Sequence, residues 1–268
     1  MVQAPSPYTA FIFEYEKSYL NDFFREMQIL GNSTEYQMVV KGLRQVNVYH
    51  MTPESFDTQV EQIMMDGLVF LPIHRTKRYS GFAHCHNFVD KIDQDTMIYG
   101  VVAQDLETAK KFREVQKDNV DHKITGELLG YPECCGLAFN EYFKTSYDPI
   151  WEPSLATEGS YMDKNGVLHV PHYNPKILQH LRYYGLRITP WFPCNFLCEE
   201  SGKRADIWFN LMKSLNEDLA IKLLTHLNIR NTTWDLYNAQ INTNIPGCGF
   251  GVAASYYTPE RRIIVFGD

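Results

Sequence analysis

A chain of 268 residues with 44% hydrophobic and 21% charged residues can bury a sizeable core and is neither disordered nor fibrous. Its formal net charge of -7 and pI near 5.7 argue against an extended nucleic-acid-binding surface, leaving room only for a local basic pocket. No run approaches the ~18 apolar residues a membrane span needs. The opening "MVQAPSPYTAFIFEYEKSYL" also lacks a basic segment leading into an apolar one. The expectation is a cytoplasmic protein whose six cysteines stay reduced, where clustered thiols mean metal or catalysis more often than disulfides.

Residues 8 to 30 read as one or two helices, with Phe11, Tyr15, Tyr19, Phe23 and Met27 four apart on one face. "RQVNVYHM" reads as a strand. "TPESFDTQVEQIMMDG" then supplies Thr52 as N-cap, Pro53 as first helical residue and Gly67 as stop. "LVFLPI" and "TMIYGVVAQ" read as strands, the second followed by a helix that Asp105 caps. Residues 124 to 145 predict two helices broken at Gly130-Tyr131-Pro132, and the Pro-, Gly-, Ser- and Asp-rich stretch 146 to 171 predicts a long loop. A helix over 175–184, one from the "PWFPC" turn to about Leu215, another over 216–227 and a final strand in "RRIIVFG" complete the chain. This order predicts an α+β (mixed α/β) fold, a single domain over 1–268 with a small mixed sheet flanked by several helices. Any subdivision falls between an α/β part at 1–120 and a cysteine-bearing helical part at 121–268.

Two turns carry thiols. In "GYPECCGLAF" and "FPCNFLCEES", Pro132 and Pro193 stand where a first helical residue belongs, because proline has no N–H to leave unpaired there. Cys134, Cys135 and Cys194 then fall in first helical turns, where free amides and the helix dipole favour thiolates. Cys198, four residues after Cys194, would share its helix face. Glu133, Glu199 and Glu200 flank these thiols, and a carboxylate beside a bare thiolate opposes its ionisation. A bound cation removes that conflict, so metal binding ranks above a lone cysteine nucleophile. Zinc and an iron–sulfur cluster both fit Cys194, Cys198 and one or both of Cys134 and Cys135. The bland alternative is that all four are small buried residues packing tight turns.

"GELLGYPECCGLAF" and "NPKILQHLRYYGLRITPWFPCNFLCEES" also resemble the prokaryotic domain-of-unknown-function family numbered 483. Its pattern is a Gly-Tyr-Pro-x-Cys-Cys block followed by a His-x-Pro-Cys-x-x-x-Cys block. The resemblance covers roughly residues 95 to 215, and its specific part is the cysteine blocks. It implies Cys134, Cys135, Cys194 and Cys198 as site residues and names no reaction. This chain carries Trp191 and Phe192 where the family has a histidine before the second block.

"GFAHCHNF" sets His84 and His86 two apart around Cys85, on one face if the segment is a strand, as in some metal hydrolases. His169 and His172 in "HVPHYNP" offer a further ligand or a proton donor. Cys248 lies among glycines in "IPGCGFG", which lacks the spacing of a dinucleotide-binding loop. "SGKRA" lacks the upstream glycine of a phosphate loop. The leading expectation is a cytoplasmic enzyme of lyase, hydrolase or sulfur-transfer type, with a thiolate-bound metal acting on a small metabolite or nucleotide-like substrate. Glu133 or Glu199 would move protons there, and His84 and His86 would orient substrate. The alternatives are a hydrolase centred on His84 and His86, and a non-catalytic protein in which a zinc clip pins two helices.

Overall fold

The computed structural model describes residues 9–12, 17–77, 96–117, 122–145, 150–182, 186–228, 232–235, 240–242, 249–253 and 262–267. Among them are eight helices and two sheets, an α+β arrangement.

The smaller sheet has strand order β2 (Val46–Met51), β4 (Thr96–Ala103), β3 (Val69–Lys77), all antiparallel. Helix α2 (Pro53–Met65) covers one face and α3 (Leu106–Lys117) the other. The strands divide their side chains with period two. Val46, Val101 and Ala103 face Ala109 and Phe112 of α3, while Met51 and Val102 face Ile63 of α2. Burial on both faces explains why "IYGVVA" is an unbroken apolar run rather than an alternating one. Gly100 is required here. A Cβ at that position would lie 2.2 Å from the Phe70 ring and 2.8 Å from the Leu71 carbonyl oxygen. The predicted helix ends hold as well: Thr52 Oγ1 accepts from the Ser55 amide at 3.3 Å, and Asp105 Oδ1 from the Thr108 amide at 2.8 Å.

The larger sheet runs β1 (Thr9–Ile12), β9 (Gly249–Ala253), β8 (Gln240–Asn242), β7 (Thr232–Asp235), β10 (Ile263–Phe266), β6 (Val167–Val170), β5 (Tyr161–Met162). Only the β10–β6 pair is parallel among the described strands. Leu168, Val170, Ile264 and Phe266 from this sheet enter the main core. They share it with helices α1 (Lys17–Val40), α7 (Glu199–Leu215) and α8 (Glu217–Leu227), and with buried residues of the irregular run 171–198. Glu35 of α1 pairs with Arg44 at 3.2 Å and with Arg187 at 3.0 Å, tying α1 to that run. Burial alone would raise the Glu35 carboxyl, but the two arginines overcome it and hold it below its ordinary value.

Four sequence expectations are corrected. The N-terminal helix starts at Lys17 and continues to Val40, and residues 9–12 form a strand paired with β9 instead. Phe23 and Met27 of the expected stripe are buried, and the stripe continues through Leu30 and Met38. Residues 146–171 are no simple loop, since they hold α6 (Trp151–Leu155) and the β5–β6 hairpin. Its turn is set by Asp163, whose Oδ1 accepts from the Asn165 and Val167 amides, and by Gly166 at φ 76°. Residues 175–182 form turns rather than a regular helix. Asn174 Oδ1 takes the Lys176 amide in an Asx turn, and residues 177–182 are buried on every side, which an amphipathic surface helix would not allow. Finally, the last long cysteine-bearing helix begins at Glu199, not at Pro193.

Candidate metal centre

Helix α4 (His122–Leu128) ends at Gly130, whose φ of 72° reverses the chain, and Tyr131 and Pro132 lead into α5 (Glu133–Thr145). The Cys135 and Gly136 amides both bond the Pro132 carbonyl at 3.0 Å, which places Cys134 and Cys135 in the first turn as expected. The second thiol turn differs from expectation. Residues 191–197 are turns, because Asn195 Oδ1 binds the Leu197 amide at 2.9 Å and competes with helical pairing. Cys194 therefore does not share a helix face with Cys198. Cys198 is the N-cap of α7, and its sulfur receives the Ser201 amide at 3.5 Å.

The coil nevertheless brings all four thiols together. The sulfurs of Cys134, Cys135, Cys194 and Cys198 lie within 4.8 Å of one another, close enough to hold a metal ion. Cys134–Cys135, Cys134–Cys198 and Cys135–Cys198 separations are 3.8, 3.7 and 3.8 Å. Any longer distance in the group thus involves Cys194. Cys135 and Cys198 are buried, Cys194 is half-buried and Cys134 is exposed.

Hydrogen-bond donors surround the sulfurs. The Cys194 amide points at Cys135 Sγ at 3.4 Å, and the Asn195 side-chain amide at Cys194 Sγ at 3.6 Å. Ser201 Oγ lies 3.0 Å from Cys135 Sγ and accepts the Trp191 indole N–H at 2.8 Å. With its oxygen engaged by Trp191, the serine has its own proton to give to an ionised Cys135. The Trp191 indole thus reaches the thiols through Ser201. Ser201, Trp191 and Asn195 were missed in the sequence, where nothing links an indole to a hydroxyl ten positions on; only the adjacency of Asn195 to Cys194 was a usable signal.

Without a cation the four thiols divide their charge unequally. Thiol donors from Cys135 and Cys194 pull Cys198 far below the usual cysteine range. Its contacts with Cys194 and Cys198, together with burial, push Cys135 far up. At Cys194 the Cys135 contact lowers the thiol, but Cys198 and burial outweigh it and raise it to about 12. Burial and then Cys198 raise Cys134. Crowded sulfurs resist carrying several negative charges in the absence of a counter-charge. A cation coordinated by all of them inverts that balance.

The remaining candidates lie elsewhere or outside the description. Glu133 and Glu199 are exposed, Glu133 lying 3.9 Å from Lys123 and Glu199 2.8 Å from Lys203, which holds the Glu199 carboxyl below its usual value. His169 stacks on Tyr161 with 4.8 Å between ring centroids and approaches Asp163, and His172 is exposed. Neither belongs to the ligand group. His84, His86, Cys85 and Cys248 fall outside the described residues. "SGKRA" lies in α7, where Ser201 serves the thiols instead of a phosphate. No helix among the described residues is long and apolar enough to cross a membrane. Comparison of the chain with protein-family models, with curated proteins and with solved structures finds no match.

Proposed function

We propose that Cys134, Cys135, Cys194 and Cys198 bind one metal ion, zinc ahead of mononuclear iron, and that this ion clips α5 to the start of α7. The observation that carries the reading is the triangle of sulfurs 3.7–3.8 Å on a side. A tetrahedron with ~2.3 Å zinc–sulfur bonds has edges of about 3.8 Å, which these three separations match, and the 4.8 Å span of the whole group leaves Cys194 about 1 Å to close on the ion. In a polynuclear iron–sulfur cluster, iron and sulfide stand between thiolates on different irons, so those sulfurs sit further apart. The spacing therefore favours a single ion over a cluster. Amide and hydroxyl donors aimed at the sulfurs supply the outer shell that metal thiolates use. Four thiolates close a zinc site, and closed sites are structural. Membership of the domain-of-unknown-function family 483 and a cytoplasmic location belong to the same proposal.

A second reading starts from Cys194, whose thiol is half-buried and meets the Asn195 side-chain amide at 3.6 Å. If Cys194 yields its place, three thiolates and an open position remain, the arrangement of a catalytic ion that activates water or a small metabolite. Metal analysis of protein purified without oxygen decides between these readings. One colourless ion per chain is expected, and the cobalt-loaded form should absorb visibly as a four-thiolate complex. A brown protein with several irons per chain would overturn the single-ion proposal. A Cys194→Ser protein that keeps full metal affinity would favour the open-position reading.

A further inference from the structure

Beside the thiols, α4, α5 and the run 190–192 line a partly open cavity of about 180 Å³. Cys135 forms part of its wall, and the rings of Tyr131, Phe139, Trp191 and Phe192 form most of the rest. Phe139 and Phe192 are stacked at 6.0 Å with planes 6° apart, and Tyr131 and Trp191 meet at 5.7 Å. The Phe192 ring is held in place from outside. The Arg182 guanidinium carbon lies 3.6 Å from its centroid, and Arg182 is fixed by Gln179 Oε1 at 2.9 Å and the Pro190 carbonyl at 3.2 Å. The wall is therefore formed before any ligand arrives.

Two glycines indicate that the space is kept open at a cost. Gly126 in α4 and Gly136 in α5 both line the cavity, and both sit inside helices, where glycine is less stable than alanine. Neither has the positive φ that would require glycine. A Cβ at Gly136 would meet nothing within 4 Å, and one at Gly126 would make ordinary contacts with Tyr131 at 3.7 and 3.8 Å. Packing does not forbid side chains at these positions. What their absence preserves is room.

We propose that this cavity binds one planar, single-ring aromatic or heteroaromatic group of a small molecule, set against the Cys135 side of the metal centre. The volume matches: an apolar cavity of about 150 Å³ takes up benzene. Flat aromatic walls favour a flat guest through offset and edge contacts. His122 and Thr125, the latter holding the Gln116 side-chain amide at 3.0 Å, are the polar residues of the same wall. The proposal deepens the metal-centre reading by naming the substrate class beside the ion, but ring binding is read separately from metal content, so either can fail alone.

Phenol is the probe, with cyclohexanol as the saturated control, titrated into metal-loaded full-length protein. Binding is followed by calorimetry and by tryptophan fluorescence, because Trp191 lines the cavity. Phenol should bind saturably with one site per chain, and cyclohexanol at least about tenfold more weakly. Gly136→Leu should weaken phenol by at least about tenfold while metal content stays at the wild-type level. If Gly136→Leu does not fold, the Gly126→Ala/Gly136→Ala double variant replaces it, with weaker phenol binding and an unchanged or higher melting temperature expected. No saturable phenol binding, equal binding of cyclohexanol, or phenol binding unaffected by the cavity-filling variant would each overturn the proposal.

Discussion

The small sheet with its two helices and the described residues of the irregular run 171–198 solve the same problem in different ways. Both must bury apolar residues next to obligatory backbone polar groups. In the sheet the ladders β2–β4–β3 satisfy the backbone, and period-two side chains fill the layers under α2 and α3. Among its described residues the run has no ladder and closes piecemeal. The Phe196 carbonyl accepts the Asn174 amide, Thr157 Oγ1 accepts the Phe196 amide, and Gln179 bonds Thr189. Its last turns are then gathered on four sulfurs. Regular structure carries its own cooperativity. A buried coil borrows it from side chains and, on the reading proposed above, from an ion.

The sharpest way to break that comparison is to remove the ion. Binding energy for a structural zinc is folding energy, with apparent values of ~10–16 kcal/mol in zinc-finger peptides. Chelation, or Cys135→Ser, should therefore abolish metal binding, lower the melting temperature and deprotect amides across residues 186–201. Amides of β4 should keep their hydrogen-exchange protection. Acid acts in the same direction, since thiolate ligands must shed protons to bind, so metal is released as pH falls. Uniform deprotection of sheet and coil together would show that the two regions are not independently held.

The converse test leaves the thiols alone and cuts the sheet's core. Phe112 is 1% exposed and packs against Val46, Val101 and Leu128. Phe112→Ala should cost about 3–5 kcal/mol, as large-to-small changes at buried aromatics do. Metal stoichiometry should stay at the wild-type level in the folded protein. Urea unfolding and metal analysis on the same sample check both statements, and loss of metal would mean that α3 supports the centre.

What was legible in the sequence follows the same division. Thr52, Asp105 and Gly67 mark helix ends through local backbone chemistry, so those ends could be read directly. The α4–α5 break at Gly130 and the nearness of the four cysteines were legible for a related reason, since turn residues and soft ligands announce themselves by type. The run 174–182 misled because Ile177, Leu178 and Leu181 mimic helix spacing, while the intervening Gln179, His180 and Arg182 are buried too. Polar identity suggested an exposed face that long-range partners had removed. Asp163 and Asn165-Gly166 are a hairpin signal inside a segment whose overall composition predicts a loop. Trp191 and Ser201 meet only after the coil has folded, so no local pattern encodes them.

Ser201 sharpens the comparison on a smaller scale. Its hydroxyl links the Trp191 indole to Cys135, and its amide donates to the capping sulfur of Cys198. Ser201→Ala keeps the amide and deletes the link. Outer-shell losses of this kind cost about 10–100-fold in metal affinity. Competition with a chromogenic chelator should show that weakening, while stability of the metal-free protein changes little. An unchanged affinity would remove Ser201 from the centre.

The smallest effect near neutrality belongs to His180, which tests whether the coil depends on the ion alone. Its side chain is fully buried beside Phe266, with no hydrogen-bond partner at either ring nitrogen among the described residues. Desolvation lowers it from 6.5 to about 3. The folded state thus keeps a neutral ring through a range in which the unfolded chain takes up a proton. Stability is fully present above about 6.5 and falls as pH drops towards 3, by up to about 1.4 kcal/mol per unit. His180→Leu should remove that slope and leave stability at pH 7 nearly as it was. The comparison belongs in a Cys198→Ser background, where acid release of metal cannot contribute. Parallel pH profiles for the two proteins would mean that His180 is solvated in the native state, and that the coil is looser than its packing implies.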